Sequence, residues 1–203
     1  MNVTGVILAG GKSRRMGEDK RFLTVGEATL LSRTVSVMAG LFREVLIIIA
    51  QDSPPLTVPG CAVHPDMIAN CGSLGGLFTG LAKATTGRIF VVACDMPFLN
   101  PEMIRWFVER DPDADIVMAR LPSGLQPLHA LYGKRALPAL ERMATSHKLK
   151  IQDIVSEPSL RTTFVLPSEW GERDTLAQSF QNVNTPADLE AARATLRHRS
   201  LPQ

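Results

Sequence analysis

The sequence predicts an α/β fold in which one mostly parallel sheet lies between two layers of helices. Apolar runs of strand length alternate with segments whose apolar residues recur at helical spacing, which is typical of a parallel sheet covered on both faces. Residues 44–50 and 88–94 are almost continuously apolar, as strands buried on both faces are. The chain of 203 residues is 45% hydrophobic and 21% charged, which suits a globular protein with one full core.

The first half of the chain supplies four strands and three helices. We predict strands over residues 3–8, 44–50, 61–64 and 88–94, and helices over residues 28–41, 74–84 and 101–109. Asn100 is expected to cap the third helix, because its side chain accepts from free amides and Pro101 suits the first helical position.

The second half adds three strands and three short helices. We predict strands over residues 115–119, 128–132 and 161–166, the last at a sheet edge, and helices over residues 135–143, 151–155 and 187–196. Residues 180–183 are expected to be extended, and Thr185-Pro186 starts the closing helix. Since no repeat or linker interrupts the chain, we expect a single domain over residues 1–203, with a disordered tail over residues 198–203.

Charge and cysteine content exclude several classes of protein. The net charge is only +2, so the chain lacks the basic field that would favour nucleic acid. The three cysteines form no C-x-x-C pair, which argues against a disulfide framework or structural zinc and favours a reducing cytoplasm. No amino-terminal signal-peptide pattern and no apolar run of ~20 residues is present, so we expect neither export nor a membrane partner.

The segment after the first strand carries the chemistry. Gly10 and Gly11 let the backbone approach a ligand closely with its amides directed inward. Cations follow within the same short stretch, at Lys12, Arg14, Arg15, Lys20 and Arg21. Because guanidinium and ammonium groups match a polyphosphate, this turn predicts a nucleoside triphosphate site.

Neither common glycine-rich motif fits this turn. The P-loop pattern G-x-x-x-x-G-K-[ST] would need its first glycine at Val6, and the glycines do not give the dinucleotide pattern G-x-G-x-x-G. A plain Gly-Gly turn would leave the cluster of cations unexplained.

Asp95 is the predicted Mg²⁺ ligand. It follows an apolar strand, and carboxylates at the carboxyl ends of such strands point into the crevice where open α/β sheets bind ligands. Magnesium takes one or two carboxylates together with phosphate oxygens and water. The alternative is an aspartate that caps a turn.

A pattern of more than ten positions spans residues 8–20 and reads L-A-G-G-x-x-R-x-M-G-x-D-K. It resembles the nucleotide-binding signature of the molybdenum cofactor nucleotidyltransferases, and its Leu-Ala-Gly-Gly start resembles the guanylyltransferase branch. The D-x-P of residues 95–97 is similar to the metal motif of that family. The resemblance implies a Rossmann-like nucleotidyltransferase fold.

The resemblance also implies roles for individual residues. Nucleotide contacts are implied for Leu8, Ala9, Gly10, Gly11, Lys20, Asp66, Gly75 and Asp95. Asp66 could instead belong to an ordinary Pro-Asp turn, and the glycines of residues 72–76 could simply begin a helix. Within that glycine segment, Ser73 occupies the position where the family usually has proline. Asn182 and Asn184 fall in a segment that the family places near the pterin, although Thr185-Pro186 is a helix start in any case.

The activity implied by the resemblance is transfer of GMP from GTP to the terminal phosphate of molybdopterin. Pyrophosphate leaves, and the guanine dinucleotide form of the cofactor results. We hypothesise that Mg²⁺ on Asp95 bridges the attacked phosphate, while Arg14, Arg15 and Lys20 stabilise the departing pyrophosphate. Proteins that make or accept the cofactor are possible transient partners.

Two other functions stay open. The nearer is a nucleotidyltransferase that uses CTP or a sugar or polyol phosphate, although Asp19 stands where sugar-phosphate enzymes usually carry proline before the motif lysine. The other is a nucleotide-binding regulatory protein without turnover, which would not need both Lys20 and Asp95. His129 has no obvious partner in sequence, so we expect it to pack rather than to catalyse.

Overall fold

The computed structural model describes residues 1–10, 19–174 and 177–199 of the chain. The strands of the described residues are β1 (Thr4–Leu8), β2 (Thr24–Val25), β3 (Ala28–Thr29), β4 (Val45–Ile49), β5 (Ala62–Pro65), β6 (Arg88–Ala93), β7 (Ile116–Leu121), β8 (Gly124–Gly133) and β9 (Thr162–Val165). The α-helices are α1 (Leu30–Leu41), α2 (Gly72–Lys83), α3 (Pro101–Arg110), α4 (Leu137–Thr145), α5 (Pro167–Trp170) and α6 (Pro186–Arg199). No helix among these residues is both long enough and apolar enough to span a membrane.

Seven strands form one central sheet in the order β5-β4-β1-β6-β8-β7-β9. The pairs β5-β4, β4-β1, β1-β6 and β7-β9 are parallel, whereas β8 runs antiparallel to β6 and to β7. The turn between β7 and β8 spans only residues 122–123, too short for the crossover that a parallel pair needs. The predicted mostly parallel sheet is confirmed.

Helices cover both faces of this sheet, as predicted. Met38 of α1 and Phe107 of α3 belong to the buried cluster on one face. Leu77 of α2 and Leu140 of α4 belong to the cluster on the other face. The sheet is therefore the middle of three layers, and its central strands are buried on both sides.

Helix α2 lies unusually close to β1. A Cβ atom on Gly80 would stand 2.6 Å from Val6 Cγ1, and one on Gly76 would stand 3.2 Å from Leu8 Cδ2. Only glycine permits this approach without a shift of the neighbouring side chains. The close packing brings the first turn of α2 to the carboxyl end of β1.

Several predicted boundaries differ from the structure. The first helix was expected from residue 28, but residues 28 and 29 form β3, which pairs with β2 around Gly26 at φ 70°. Thr29 then caps α1 by accepting from the Ser32 amide. Of the segment expected to be extended over residues 180–183, Phe180 instead ends a 3-10 turn over residues 178–180, in which the Asp174 carboxylate accepts from the amides of residues 178 and 179. Gln181, which follows the turn, is extended.

The carboxyl-terminal helix α6 was expected over residues 187–196, but it continues to Arg199. The remainder of the expected tail lies outside the described residues. A small cluster that includes Val25, Phe98 and Leu189 fixes α6 against the β2-β3 hairpin. The start of α6 is thereby held beside the carboxyl end of β6.

Candidate functional site

The site lies where the direction of strand order reverses. From β1 the chain proceeds to β4 and then β5 on one side, and it crosses to β6 on the other side. Open α/β sheets bind ligands in the crevice beyond the carboxyl ends of their strands at such a point. Leu8 ends β1, and Asp95 follows the end of β6, so both predicted residues lie at this crevice.

Lys20 projects from a turn that an ion pair holds in place. Residues 20–22 form one 3-10 turn, and Asp19 caps it by accepting from the Arg21 amide at 3.0 Å. The Arg21 guanidinium, which is almost fully buried, donates to the same carboxylate from Nε at 2.9 Å and from Nη2 at 2.5 Å. This pairing lowers the pKa of Asp19, so the anchor stays ionised.

The ammonium of Lys20 links two distant segments. Its Nζ lies 3.5 Å from Oδ2 of Asp95 and donates to Oδ1 of Asn184 at 2.8 Å. The carbonyl of Asp95 accepts from the Val183 amide at 2.9 Å, which fixes the asparagine segment directly beside the carboxylate. The predicted lysine, aspartate and asparagine therefore form one cluster.

The first turn of α6 fixes the backbone of Asn184. Oδ2 of Asp188 accepts from the amides of Asn184 and Thr185, at 2.9 Å and 2.8 Å. The Thr185 hydroxyl accepts in turn from the Asp188 amide at 3.2 Å, which completes a reciprocal helix cap. Asn182 is exposed two residues earlier, on the same segment.

The carboxylate of Asp95 fits a cation. Burial raises the pKa of Asp95, and the neighbouring Lys20 ammonium opposes that rise. Its Oδ1 is buried and has no hydrogen-bond partner among the described residues. A buried carboxylate oxygen without a partner is unfavourable unless a cation or donor reaches it.

The chain does not supply a complete metal cage within the described residues. No group of three or more His, Cys, Asp or Glu side chains converges there. A single carboxylate suits an ion that completes its shell with substrate phosphates and water, as Mg²⁺ does. Asp95 thus fits a metal that arrives with a phosphorylated substrate.

A cleft of about 460 Å³ opens at the carboxyl end of β1, between the ends of β4 and β5 and the start of α2. Its volume is in the range of ligand pockets. A Cβ atom on Gly10 would stand 2.9 Å from the Ala50 amide nitrogen, so this position needs glycine. Residues from four segments line the cleft, among them Leu8, Gly10, Gln51, Asp66, Ser73 and Gly76.

Two predicted nucleotide residues, Asp66 and Gly75, face each other at this cleft. A Cβ atom on Gly75 would stand 2.6 Å from Oδ2 of Asp66. Gly75 therefore lets α2 approach the carboxylate, while its neighbour Gly76 lines the cleft itself. Ala9 is buried, and its amide donates to the Ile48 carbonyl at 2.8 Å.

Other predicted positions fall outside the site or outside the described residues. Gly11, Arg14 and Arg15 lie in the part of the loop that the structure does not describe. His129 is fully buried among Phe90, Phe107 and Phe180, and burial lowers its pKa to about 3. It is a core residue, as the sequence predicted.

The sequence did not indicate two residues that shape the site. Arg21 was counted among the loop cations, but it is buried against Asp19. Thr79 is fully buried and donates from its hydroxyl to Asp66, which lies 13 residues away in another element. No local spacing signals a contact of that kind.

These features define the class, a nucleotidyltransferase of the α/β type that acts on nucleoside triphosphates. The chain belongs to the MobA-like NTP transferase family, whose domain matches residues 5–161. It is 39% identical over 193 residues to a probable molybdenum cofactor guanylyltransferase of Pelotomaculum thermopropionicum, covering 95% of this chain and 93% of the relative. The corresponding protein of Chloroflexus aggregans is 34% identical, with 97% and 96% covered.

Solved structures share the fold. The molybdopterin-guanine dinucleotide biosynthesis protein A of Archaeoglobus fulgidus superposes with a TM-score of 0.82 at 21% identity, and the superposition covers 97% of this chain and 100% of that chain. The 2-C-methyl-D-erythritol 4-phosphate cytidylyltransferase of Thermus thermophilus has a TM-score of 0.69 at 16% identity, with 95% and 98% covered. The nucleotidyltransferase fold predicted from the sequence is confirmed.

Proposed function

We propose that the protein transfers GMP from GTP to the terminal phosphate of molybdopterin, releasing pyrophosphate and forming the guanine dinucleotide of the molybdenum cofactor. Its relatives named as guanylyltransferases match it over nearly their full length, which supports this choice of nucleotide and acceptor. The observation that carries the proposal is the cluster of Lys20, Asp95 and Asn184 at the switch point, where Oδ1 of Asp95 is buried and has no partner within the described part of the chain.

This reaction needs positioning more than proton transfer. The second pKa of a phosphate monoester is ~6, so the acceptor is already anionic near neutral pH and can attack the α-phosphorus directly. Catalysis then depends on alignment and on neutralising charge. The ammonium of Lys20 lies between the segment proposed to hold the acceptor and the carboxylate proposed to hold the metal, so it is placed to serve both.

A divalent metal is general in NTP transferases, and we assign Mg²⁺ to Asp95. When bound there, the ion would withdraw charge from the phosphate oxygens of the nucleotide. The Lys20 ammonium pairs with Asp95, so it neutralises that carboxylate until the ion and its phosphates arrive.

The remaining site residues have the following proposed roles. The backbone of Leu8, Ala9, Gly10 and Gly11 positions the nucleotide, and Asp66 accepts from a donor of the nucleoside. Gly75 acts through its contact with Asp66. Arg14 and Arg15 stabilise the departing pyrophosphate, and Asn182 and Asn184 offer carboxamide groups to the pterin or its phosphate.

The setting of the reaction is also proposed. We propose a cytoplasmic location, because three free cysteines are typical of a reducing compartment. We further propose one domain over residues 1–203, because a single sheet carries the buried clusters of both faces. Contacts with proteins that make or accept the cofactor would be transient.

A panel of triphosphates tests the proposal. The purified full chain is incubated with Mg²⁺, molybdopterin and each of GTP, CTP, ATP and UTP, and pyrophosphate is measured. We expect release with GTP only, and only when molybdopterin is present. Release with CTP would favour cytidylyl transfer, and binding of GTP without release under any condition would favour a regulatory protein.

A further inference from the structure

Thr79 is a fully buried threonine of α2 that no part of the proposed reaction uses. Its hydroxyl donates to Oδ1 of Asp66 at 2.8 Å and accepts from the Met67 amide at 2.8 Å. Because the amide occupies a lone pair of Oγ1, the hydroxyl proton is directed at the carboxylate. The hydrogen bond therefore has a fixed direction as well as a fixed length.

The hydrogen bonds to the Asp66 carboxylate converge on one oxygen. Oδ1 accepts from Thr79 and also from the Ile68 amide at 3.0 Å. Neither donor uses Oδ2, and Asp66 lines the cleft beside the switch point. One carboxylate oxygen is thus committed to the protein, and neither of these two hydrogen bonds engages the other.

Helix α2 restrains the same carboxylate from a second side. Gly75 precedes Thr79 by one helical turn. A Cβ atom added to Gly75 would stand 2.6 Å from Oδ2 of Asp66 and 2.9 Å from the Ile68 carbonyl oxygen. The carboxylate consequently rests against bare helix backbone at Gly75. Its orientation is set by the helix that also forms one wall of the cleft.

We infer that Thr79 is a positioning residue that holds Asp66 with Oδ2 aimed at a hydrogen-bond donor of the bound nucleoside. An ionised carboxylate only accepts, and the donors of GTP away from its phosphates are the ribose hydroxyls and the guanine N–H groups. This inference rests on the proposed function, since it assumes that the cleft takes the nucleoside. Thr79 touches no reacting atom, so it acts on nucleotide affinity and not on the chemical step.

Three variants of the full chain test this role. Thr79→Val keeps the shape but lacks the hydroxyl, and Thr79→Ser keeps the hydroxyl. The control is Thr4→Val, because Thr4 is equally buried but bonds to Glu44 and Thr86 at the opposite end of β1. Each variant is compared for thermal unfolding, for kcat and for KM of GTP.

We expect Thr79→Val to raise the KM of GTP by at least about tenfold, the effect of losing a hydrogen bond to a charged group, with kcat within about twofold of wild type. Thr79→Ser should restore the KM, and Thr4→Val should lower the melting temperature without raising the KM. A KM of wild-type size in Thr79→Val, or a loss confined to kcat, would overturn the inference.

A double-mutant cycle with Asp66→Ala separates positioning from general packing. If Thr79 acts through Asp66, adding Thr79→Val to Asp66→Ala should raise the KM no further. Full additivity would contradict the inference. If the wild type uses CTP and not GTP, the proposed function fails, but the same cycle measured with CTP still decides the role of Thr79. If the wild type binds no triphosphate by calorimetry, both fail.

Discussion

The ammonium of Lys20 lies 3.5 Å from Oδ2 of Asp95, and each of the two side chains is only 19% exposed. An ion pair that is mostly withdrawn from water interacts more strongly than a surface pair, but each charge also loses hydration. Loss of either side chain would therefore leave the other charge mostly withdrawn from water without this ion pair. The pair lies where phosphates are proposed to bind.

Removal of the lysine should disable the reaction and leave the fold intact. For Lys20→Ala we expect kcat to fall by about 10²–10³, because one preorganised charge on the reacting phosphates is lost. Lys83→Ala is the matched control, since Lys83 is exposed in the last turn of α2. Steady-state pyrophosphate release measures both, and a Lys20→Ala rate near that of the control would refute the role.

Replacement of Asp95 by asparagine should separate activity from stability. Burial raises the pKa of Asp95, so its ionisation is less favourable in the folded chain than in the unfolded chain. The stability it contributes is therefore fully present at low pH and is lost as pH rises through the folded pKa. At pH 7 we expect Asp95→Asn to lose turnover but to melt no lower than wild type.

Scanning calorimetry of wild type and Asp95→Asn across pH checks that sign. As pH rises from the ordinary range of aspartate pKa values, the melting temperature of the variant should increase relative to that of wild type. A variant that melts well below wild type at pH 7 and closer to it in acid would show that Asp95 contributes as an ionised structural anchor.

Gly75→Ala should weaken nucleotide binding more than it weakens the fold. The added methyl group would stand 2.6 Å from Asp66 Oδ2, so either the carboxylate or α2 must move. We expect the KM of GTP to rise by about tenfold, comparable to the loss of a hydrogen bond to a charged group. Gly40→Ala on α1 is the control, because no atom of the described residues lies within 4 Å of its Cβ position.

The cap of α6 should influence the acceptor more than the nucleotide. Asp188 accepts from the amides of Asn184 and Thr185, and these bonds lower its pKa. Asp188→Ala releases the backbone of Asn184, so we expect a higher KM for molybdopterin with little change for GTP. Asp188→Asn retains a good capping residue and should behave more like wild type. Equal effects on both substrates would contradict this assignment.

His129 should prove dispensable for turnover. Its ring is fully buried, and burial lowers its pKa from 6.5 to about 3. At pH values between these two, the unfolded chain binds a proton on this side chain that the folded chain does not bind. The free energy of unfolding therefore decreases as pH falls through that range. His129→Leu should keep its activity and lose less stability than wild type between pH 6.5 and about 3, as urea unfolding at several pH values would measure.

The sequence predicted the parts of the fold that depend on long apolar runs. Strands β1 and β4 are buried along their whole length and β6 is buried over residues 89–92, so their composition reveals them, and Asp95 lies beyond the carboxyl end of β6 as expected. The β2-β3 hairpin was missed because strands of two residues show no periodicity. The 3-10 turn at residues 178–180 is held by the carboxylate of Asp174, four residues before it, and the apolar pattern of the turn itself does not reveal that contact.

The contacts within the site were less predictable than its members. The resemblance pointed to both Lys20 and Asn184, but their hydrogen bond joins residues 164 positions apart and exists because α6 packs on the β2-β3 hairpin. The same holds for Thr79 and Asp66, which meet only because glycines let α2 approach the sheet. Such contacts follow from tertiary packing, which a single sequence does not display.

The most direct measurement follows the α-phosphate of GTP. The wild-type chain and Asp95→Asn are incubated with Mg²⁺, molybdopterin and GTP labelled at the α-phosphorus, and the labelled products are separated. Guanylyl transfer at the Lys20–Asp95 site predicts that label enters a molybdopterin-dependent dinucleotide with the wild type and not with the variant. Label that stays in GTP with the wild type, or that is transferred equally by Asp95→Asn, would contradict the account.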